Sequence, residues 1–407
     1  TALVTPKDTK GLLGYVHVIK QDIVNPNLLF SGTECGLWVS IDGGGHWAQF
    51  KGGEFPAVAV RDLAIQPRDD ALVLATHGRG IWIVDDITPL RNLSAQVLNE
   101  EAGFLPVQAA QQRISAFGGW SEGDASFSGP NPKDGARIAY YQKSRHLFGK
   151  LKIDILDAKG EVVDSLPANV RRGINVVYWS MRVKPPRVPP AAQIAFNSTQ
   201  GARVPPGSYT VRMTKGSATF ETKLDVGLDR RANYTIADRQ AQYDAAQRVS
   251  ALFGRMSDLV FQLNAVRRQA DADSAKLGEK DALRQQLSQL GDKADDIRKK
   301  IVATKQGGAI TGEERLREHA DTLYGAIMSY DGKPADYQLA RIDVLTRELD
   351  DVARQFADLQ KNELAKANAA LQSAKHAPIM IPAVAPADKS GGSAEGAKAY
   401  FSRFERD

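Results

Sequence analysis

Ser40-Ile41-Asp42-Gly43-Gly44-Gly45-His46-Trp47 decides the fold. Short apolar alternations flank it on both sides: Leu28-Leu29-Phe30-Ser31-Gly32-Thr33 and Gly36-Leu37-Trp38-Val39 before it, Ala48-Gln49-Phe50 after. Further on come Asp62-Leu63-Ala64-Ile65, Ala71-Leu72-Val73-Leu74-Ala75-Thr76 and Gly80-Ile81-Trp82-Ile83-Val84. Period-two alternation broken by Gly, Asn, Asp and Pro predicts hairpins stacked into sheets. Within the octet, Asp42 is placed to accept hydrogen bonds from its own turn. Gly43 to Gly45 permit positive φ, and Trp47 folds back as an apolar plug.

The octet reads S-x-D-x-G-x-x-W, and its positions Ser40, Asp42, Gly44 and Trp47 resemble the Asp-box of sialidase-type and sortilin-type β-propellers. The later stretches Arg61–Asp69 and Thr76–Asp86 resemble the closing blade of bacterial sortilin-like (BNR-repeat) propeller proteins. Such proteins are often labelled glycosyl hydrolases because of the box. In the family the box is a folding device at the propeller rim, so the resemblance implies that Asp42 is a turn residue and not a catalytic acid. A propeller needs at least four blades, and one Asp-box accounts for one or two. The reading is therefore a partial propeller over residues 1–88, the C-terminal part of a longer protein. Fewer blades leave open strand edges and an apolar flank that something else must cover.

Residues 89–135 read as a connector, with turn chemistry at Gly118-Gly119-Trp120 and Ser128-Gly129-Pro130-Asn131-Pro132; Trp120 and Phe127 are expected to pack on a domain face. Residues 136–227 read as an immunoglobulin-like β-sandwich of short, turn-punctuated strands, with Trp179 as core anchor. Its hairpin Pro206-Gly207-Ser208-Tyr209-Thr210-Val211-Arg212 resembles the flagellar-hook-cap type of that domain. The proline-rich insertion Lys184–Val204 is expected to be a long, partly extended loop and a candidate contact surface.

From residue 235 to 376 the apolar period changes to that of a helix. Val249, Leu252, Phe253, Met256, Leu259, Val260, Leu263 and Val266 form one stripe. Leu283, Leu287, Leu290, Ala294, Ile297 and Ile301 form a second, and Ile342, Leu345, Leu349, Val352, Phe356 and Leu359 a third, with Leu316, Leu323 and Ile327 between them. Alternating steps of three and four make seams for neighbouring helices, so the expectation is an antiparallel four-helix bundle. Thr311-Gly312-Glu313-Glu314 reads as a capping box and Pro334 as a first-turn residue. The whole chain is thus multidomain α+β. Residues 377–407 are an extended tail whose Tyr400, Phe401 and Phe404 are candidate partner contacts.

The formal charge of +5 falls entirely before residue 236, spread thinly along the sequence with no basic stripe interleaved with aromatics. That argues against a nucleic-acid groove and leaves weak attraction to an acidic partner or anionic lipid. One cysteine, Cys35, forms no internal disulfide; a pairing with His17, His46 or His77 is the reactive alternative to a plain strand residue. One Cys and six scattered His make no zinc set. Gly43-Gly44-Gly45 lacks the Lys-Ser/Thr of a phosphate loop, and no cofactor is expected. Glycoside hydrolysis needs two carboxylates across a cleft, for which Glu34 and Asp85-Asp86 are the available groups. His77 and Arg79, in Thr76-His77-Gly78-Arg79-Gly80, are weak ligand candidates against a plain tight turn. The leading expectation is a non-catalytic periplasmic or secreted interaction protein, an accessory subunit docked on a larger, membrane-anchored or soluble complex, with no transmembrane segment of its own. The alternative is the remainder of a glycoside hydrolase or glycan-binding propeller whose site lies in further blades.

Overall fold

The computed structural model describes residues 15–51, 55–114, 133–307 and 312–384. They divide into two compact units: those up to 181 together with 207–230, and 182–206 together with those from 231 onward. The class is α+β, with antiparallel sheets before residue 230 and long helices after it. The expected contacts Trp120, Phe127, Tyr400, Phe401 and Phe404 lie outside the described residues.

In the first unit, β1 (Val16–Gln21), β2 (Leu29–Thr33), β3 (Gly36–Ser40) and β4 (Ala48–Gln49) form an antiparallel meander in chain order. The octet joins β3 to β4. A second meander follows, β5 (Val60–Gln66), β6 (Ala71–Thr76) and β7 (Ile81–Val84). Alternation puts Phe30 and Leu37 of the first sheet and Val60, Leu63, Leu72 and Leu74 of the second into one core, with Leu28 and Ile87 from the links. Gly32 lets the sheets close up: a Cβ there would stand 2.6 Å from the Val60 carbonyl.

Polar groups also tie the two sheets. Asp22, just after β1, forms a fork with Arg91 (Nε to Oδ2 2.8 Å, Nη2 to Oδ1 2.9 Å) and accepts the N–H groups of Val24 and Asn25. Arg91 Nη1 reaches Asp70 Oδ1, in the β5–β6 turn, at 2.9 Å. Arg91 ends the short helix α1 (Thr88–Arg91), which Asp86 helps to start by accepting the N–H of Thr88.

After α2 (Ala95–Asn99), the strands β8 (Ala102–Leu105), β9 (Ala110–Gln112), β10 (Ala136–Gln142), β11 (Leu151–Leu156), β12 (Val162–Pro167), β13 (Gly173–Trp179), β14 (Gly207–Lys215) and β15 (Ala218–Leu228) make two sheets. One has the order β13-β10-β8, the other β12-β11-β14-β15-β9, in which β9 runs parallel to β15. Residues 89–114 are therefore more than the connector expected from their mixed sequence, since β8 and β9 each complete a sheet. Trp179 is fully buried and stacks edge-on with Tyr209, ring centres 5.2 Å apart.

The second unit is built on α3 (Ile236–Ser274), which starts on a reciprocal cap between Thr235 and Asp238. Then come α4 (Ala282–Ile301), α5 (Leu316–Met328) and α6 (Asp336–Leu359). The last continues through one π turn into α7 (Ala365–Ser373). The three apolar stripes lie in one core. Side-chain pairs give the directions. Arg267 meets Asp295, and Ser274 meets Arg284, so α4 runs against α3. Gln242 bonds the Ile327 carbonyl and Phe253 stacks on Tyr324, so α5 also opposes α3, but along its N-terminal half. Arg248 with Asp343 and Arg255 with Asp350 show that α6 runs with α3. The four helices are thus not four rods abreast: α4 and α5 face successive lengths of α3.

Two expected helix signals move. Thr311 lies outside the described residues; α5 begins at Leu316, and the Glu313 carboxylate accepts the Thr304 N–H at 2.6 Å instead of closing a cap. Pro334 precedes the cap residue Ala335, whose N–H is held by Gln338. The proline-rich insertion packs on the helices of its own unit. Ser198 N–H and hydroxyl both donate to Asp321 (2.9 and 2.5 Å), Tyr324 donates to the Gln200 carbonyl (3.1 Å), and Arg203 pairs with Asp331 (2.9 Å). A Cβ on Gly325 would fall 2.4 Å from the Asn197 side chain, so glycine is required where the loop crosses α5.

Candidate functional site

The octet uses nearly all of its polar capacity on itself. Ser40 Oγ donates to Asp42 Oδ1 (2.8 Å) and accepts the Gly44 N–H (2.9 Å). Asp42 Oδ1 also accepts the His46 N–H (2.8 Å), and Oδ2 meets His46 Nδ1 at 2.6 Å. Trp47 Nε1 donates to the Gly44 carbonyl at 3.2 Å, laying the indole back over the turn. The backbone N–H of His46, then the His46 ring and the Ser40 hydroxyl, hold the Asp42 carboxyl well below the usual carboxylate range. An acid so stabilised in its ionised form has no proton to give a leaving group at neutral pH.

Gly43 and Gly44 have φ of +69° and +96°. Gly44→Ala is expected to lower the stability of the first unit by about 1–2 kcal/mol through the left-handed backbone alone, because a Cβ there meets only ordinary contacts, the nearest Leu29 Cδ1 at 3.5 Å. Urea unfolding followed by fluorescence measures it.

Glu34 and Asp85-Asp86 are not brought together at a cleft. Glu34 sits in the β2–β3 turn, on His17 Nε2 (2.6 Å) and near Arg61 (3.5 Å). Asp85 and Asp86 line a cavity of about 140 Å³ with Asp69, Asp134, Arg113 and Arg137 among its walls. Asp86 is taken by Arg137 (3.3 Å) and the Thr88 N–H. Asp69 is held below its ordinary range by Arg68, and Arg230 also pairs with it at 3.2 Å. Of the acids in the cavity wall, Asp69 and Asp86 are thus held by arginines.

His77 and Arg79 stand exposed at the β6–β7 tip and line neither this cavity nor the second unit's cavity of about 150 Å³ beside Arg317 and Asp321. The tip is tied within itself: the Thr76 N–H and Oγ1 both donate to the Gly80 carbonyl (3.2 and 2.5 Å), and Trp82 Nε1 donates to the Arg79 carbonyl (3.0 Å). Among the described residues no three His, Cys, Asp or Glu side chains are grouped to hold a metal ion, and no helix is long and apolar enough to cross a membrane.

Two features escape a reading of the sequence. β7 is the outer strand of its sheet, and Ile81 and Ile83 on it are 72% and 58% exposed. Among the described residues nothing pairs with its outer edge. The second is a concentration of charge. The basic surplus is thin along the sequence but not in space: the β10–β11 and β12–β13 loops, which bond to each other, carry Lys143, Arg145, Lys150, Arg171 and Arg172. The His146 N–H donates to the Val170 carbonyl (3.0 Å), and Gln142 bridges the carbonyls of Asn169 and Arg171. Arg171-Arg172 was the visible signal; the pairing of the loops was not.

No family model matches the chain and no curated protein matches it. Two solved structures of the extracellular domain of BT4673 from B. thetaiotaomicron are similar over 52% and 53% of this chain, at 12% identity and TM-scores of 0.14 and 0.16. The matches span 25% and 26% of those chains, so this chain answers to about a quarter of their length. A likeness of that strength transfers neither an architecture nor a role.

Proposed function

We propose that this chain is a non-catalytic, extracytoplasmic interaction protein that docks as an accessory subunit on a larger assembly. The observation that carries the proposal is the open edge of β7 with Ile81 and Ile83 bare beside it. An unpaired apolar edge is a template for another strand, and main-chain hydrogen bonds plus alternate side-chain pockets are how such edges recruit partners. The propeller reading gives that edge its meaning, as the flank a neighbouring blade or partner sheet covers. It is supported by two meanders facing across one core and by the Asp-box between the third and fourth strands of the first. The order β12-β11-β14-β15 against β8-β10-β13 supports the immunoglobulin-like reading, since it matches the C′-C-F-G and A-B-E arrangement of that class. The extracytoplasmic placement follows the resemblance to bacterial sortilin-like propeller proteins.

Ile81→Lys with Ile83→Lys tests the proposal. Both side chains are largely in solvent, so the fold should survive, with stability changed by no more than about 0.5 kcal/mol. Tagged wild-type chain is expected to co-purify from a native envelope extract with a defined partner, and the double variant to lose it. A wild-type chain that stays an isolated monomer in its native extract overturns docking. Turnover of a glycan by the purified chain overturns the non-catalytic reading.

A further inference from the structure

We infer that the end of the sandwich formed by the β10–β11 and β12–β13 loops is a contact site for an anionic lipid bilayer. This goes beyond the docking role proposed above and does not depend on the propeller reading. The apex of the β10–β11 loop, Lys143-Ser144-Arg145-His146-Leu147-Phe148-Gly149-Lys150, carries two adjacent bulky apolar side chains in water: Phe148 is 88% and Leu147 67% exposed. Val170, in the loop bonded to His146, is 38% exposed, as is Ile174 beyond it. Around them stand the exposed Lys143, Arg145, Lys150, Arg171 and Arg172, none in an ion pair among the described residues. Lys143 Nζ donates to the Asn99 carbonyl (3.0 Å) and its charge also acts on Glu101. The acid beside this loop, Glu101, is already paired with Lys215 at 2.6 Å. Glu100 precedes it, exposed.

An apolar apex beside exposed cations fits the layering of a membrane surface. The side chains of Leu147 and Phe148 enter the boundary between headgroups and acyl chains, while the cations stay level with the phosphates. A bilayer needs no pocket complementary to a protruding Phe. Nor does it need fixed partners for cations that come from two separate loops, because its charge is spread over a plane. The loops are anchored for such a load. Besides the His146–Val170 bond, the Gly216 N–H donates to the Lys150 carbonyl at 2.8 Å, and Tyr140 donates to the Asn169 carbonyl at 2.8 Å.

Flotation of the whole chain with vesicles tests this. Wild type is expected to float with vesicles of phosphatidylcholine and phosphatidylglycerol in a 7:3 ratio (about one-third anionic, the regime in which each surface cation adds about fivefold to binding). It is expected to float weakly with phosphatidylcholine alone, and to lose anionic binding as salt rises above physiological strength. Leu147→Ser with Phe148→Ser should weaken anionic binding at least tenfold, as should Arg171→Glu with Arg172→Glu. Both pairs are exposed, so an unchanged melting temperature checks the fold. The inference is overturned if wild type fails to float with anionic vesicles. It is overturned too if the Leu147/Phe148 variant floats as well as wild type. Equal capture of wild type and that variant on immobilised poly-glutamate, with no flotation, would mark the end as a site for acidic proteins instead.

Discussion

Arg91→Ala is expected to destabilise the first unit by about 3–5 kcal/mol, the range for removing one partner of a buried ion pair. Asp22 has no exposed side-chain surface and Arg91 only 9%. Without the guanidinium, the Asp22 carboxylate keeps two backbone N–H donors and no countercharge, and Asp70 loses its cation as well. The removal of both charges should hurt less than the removal of one: Asp22→Leu combined with Arg91→Met is expected to recover a large part of the loss. Urea unfolding of the three proteins decides it, read on the transition of the first unit because a chain of two units need not unfold in one step. A double variant less stable than Arg91→Ala would mean that the hydrogen bonds, not the buried charge, dominate.

The pH dependence has a definite sign. Burial pushes the Asp22 carboxyl up, but the Arg91 guanidinium and the N–H groups of Asn25 and Val24 outweigh it and leave it below its ordinary value. A carboxyl depressed on folding contributes stability that is complete above its unfolded value, about 3.9, and is lost as pH falls through the folded value. Wild type is therefore expected to lose this contribution in acid, while the Asp22→Leu, Arg91→Met protein lacks that part of the slope.

Trp179→Ala is expected to have an effect of similar size, about 3–5 kcal/mol, by a different physical route. Trp179 ends β13, is fully buried and heads the largest fully buried side chains among the described residues. Its loss leaves a cavity among residues fixed by two sheets, which have little freedom to collapse into it. Trp179→Phe should cost less, because the ring keeps its edge-on contact with Tyr209 and only part of the volume is lost. Near-ultraviolet circular dichroism should show the loss of the Trp179 environment at low denaturant. An alanine variant within about 1 kcal/mol of wild type would mean that the core repacks, contrary to close packing in protein interiors.

The two predictions concern sites of different legibility. Trp179 is an apolar residue at the end of an alternating strand, and its burial follows from the alternation. The Asp22–Arg91–Asp70 group joins residues 69 positions apart whose local sequences are ordinary surface and turn chemistry. Nothing in a window of ten residues marks them as a set. The charged loops at the sandwich end are hidden in the same way.

The amino-acid sequence by itself determined the elements whose signal is local: the octet's turn, the alternating strands and the apolar helical stripes. Side-chain period and glycine conformation act within a few residues, so they can be read in one dimension. Only the tertiary structure decided which elements share a core. It put the proline-rich insertion onto the helices, drew β8 and β9 into separate sheets, set α4 and α5 along successive lengths of α3, and gathered a thin basic surplus into one patch. Those outcomes depend on contacts between residues far apart in the chain, where packing and electrostatics act through space and leave no periodic trace in the sequence.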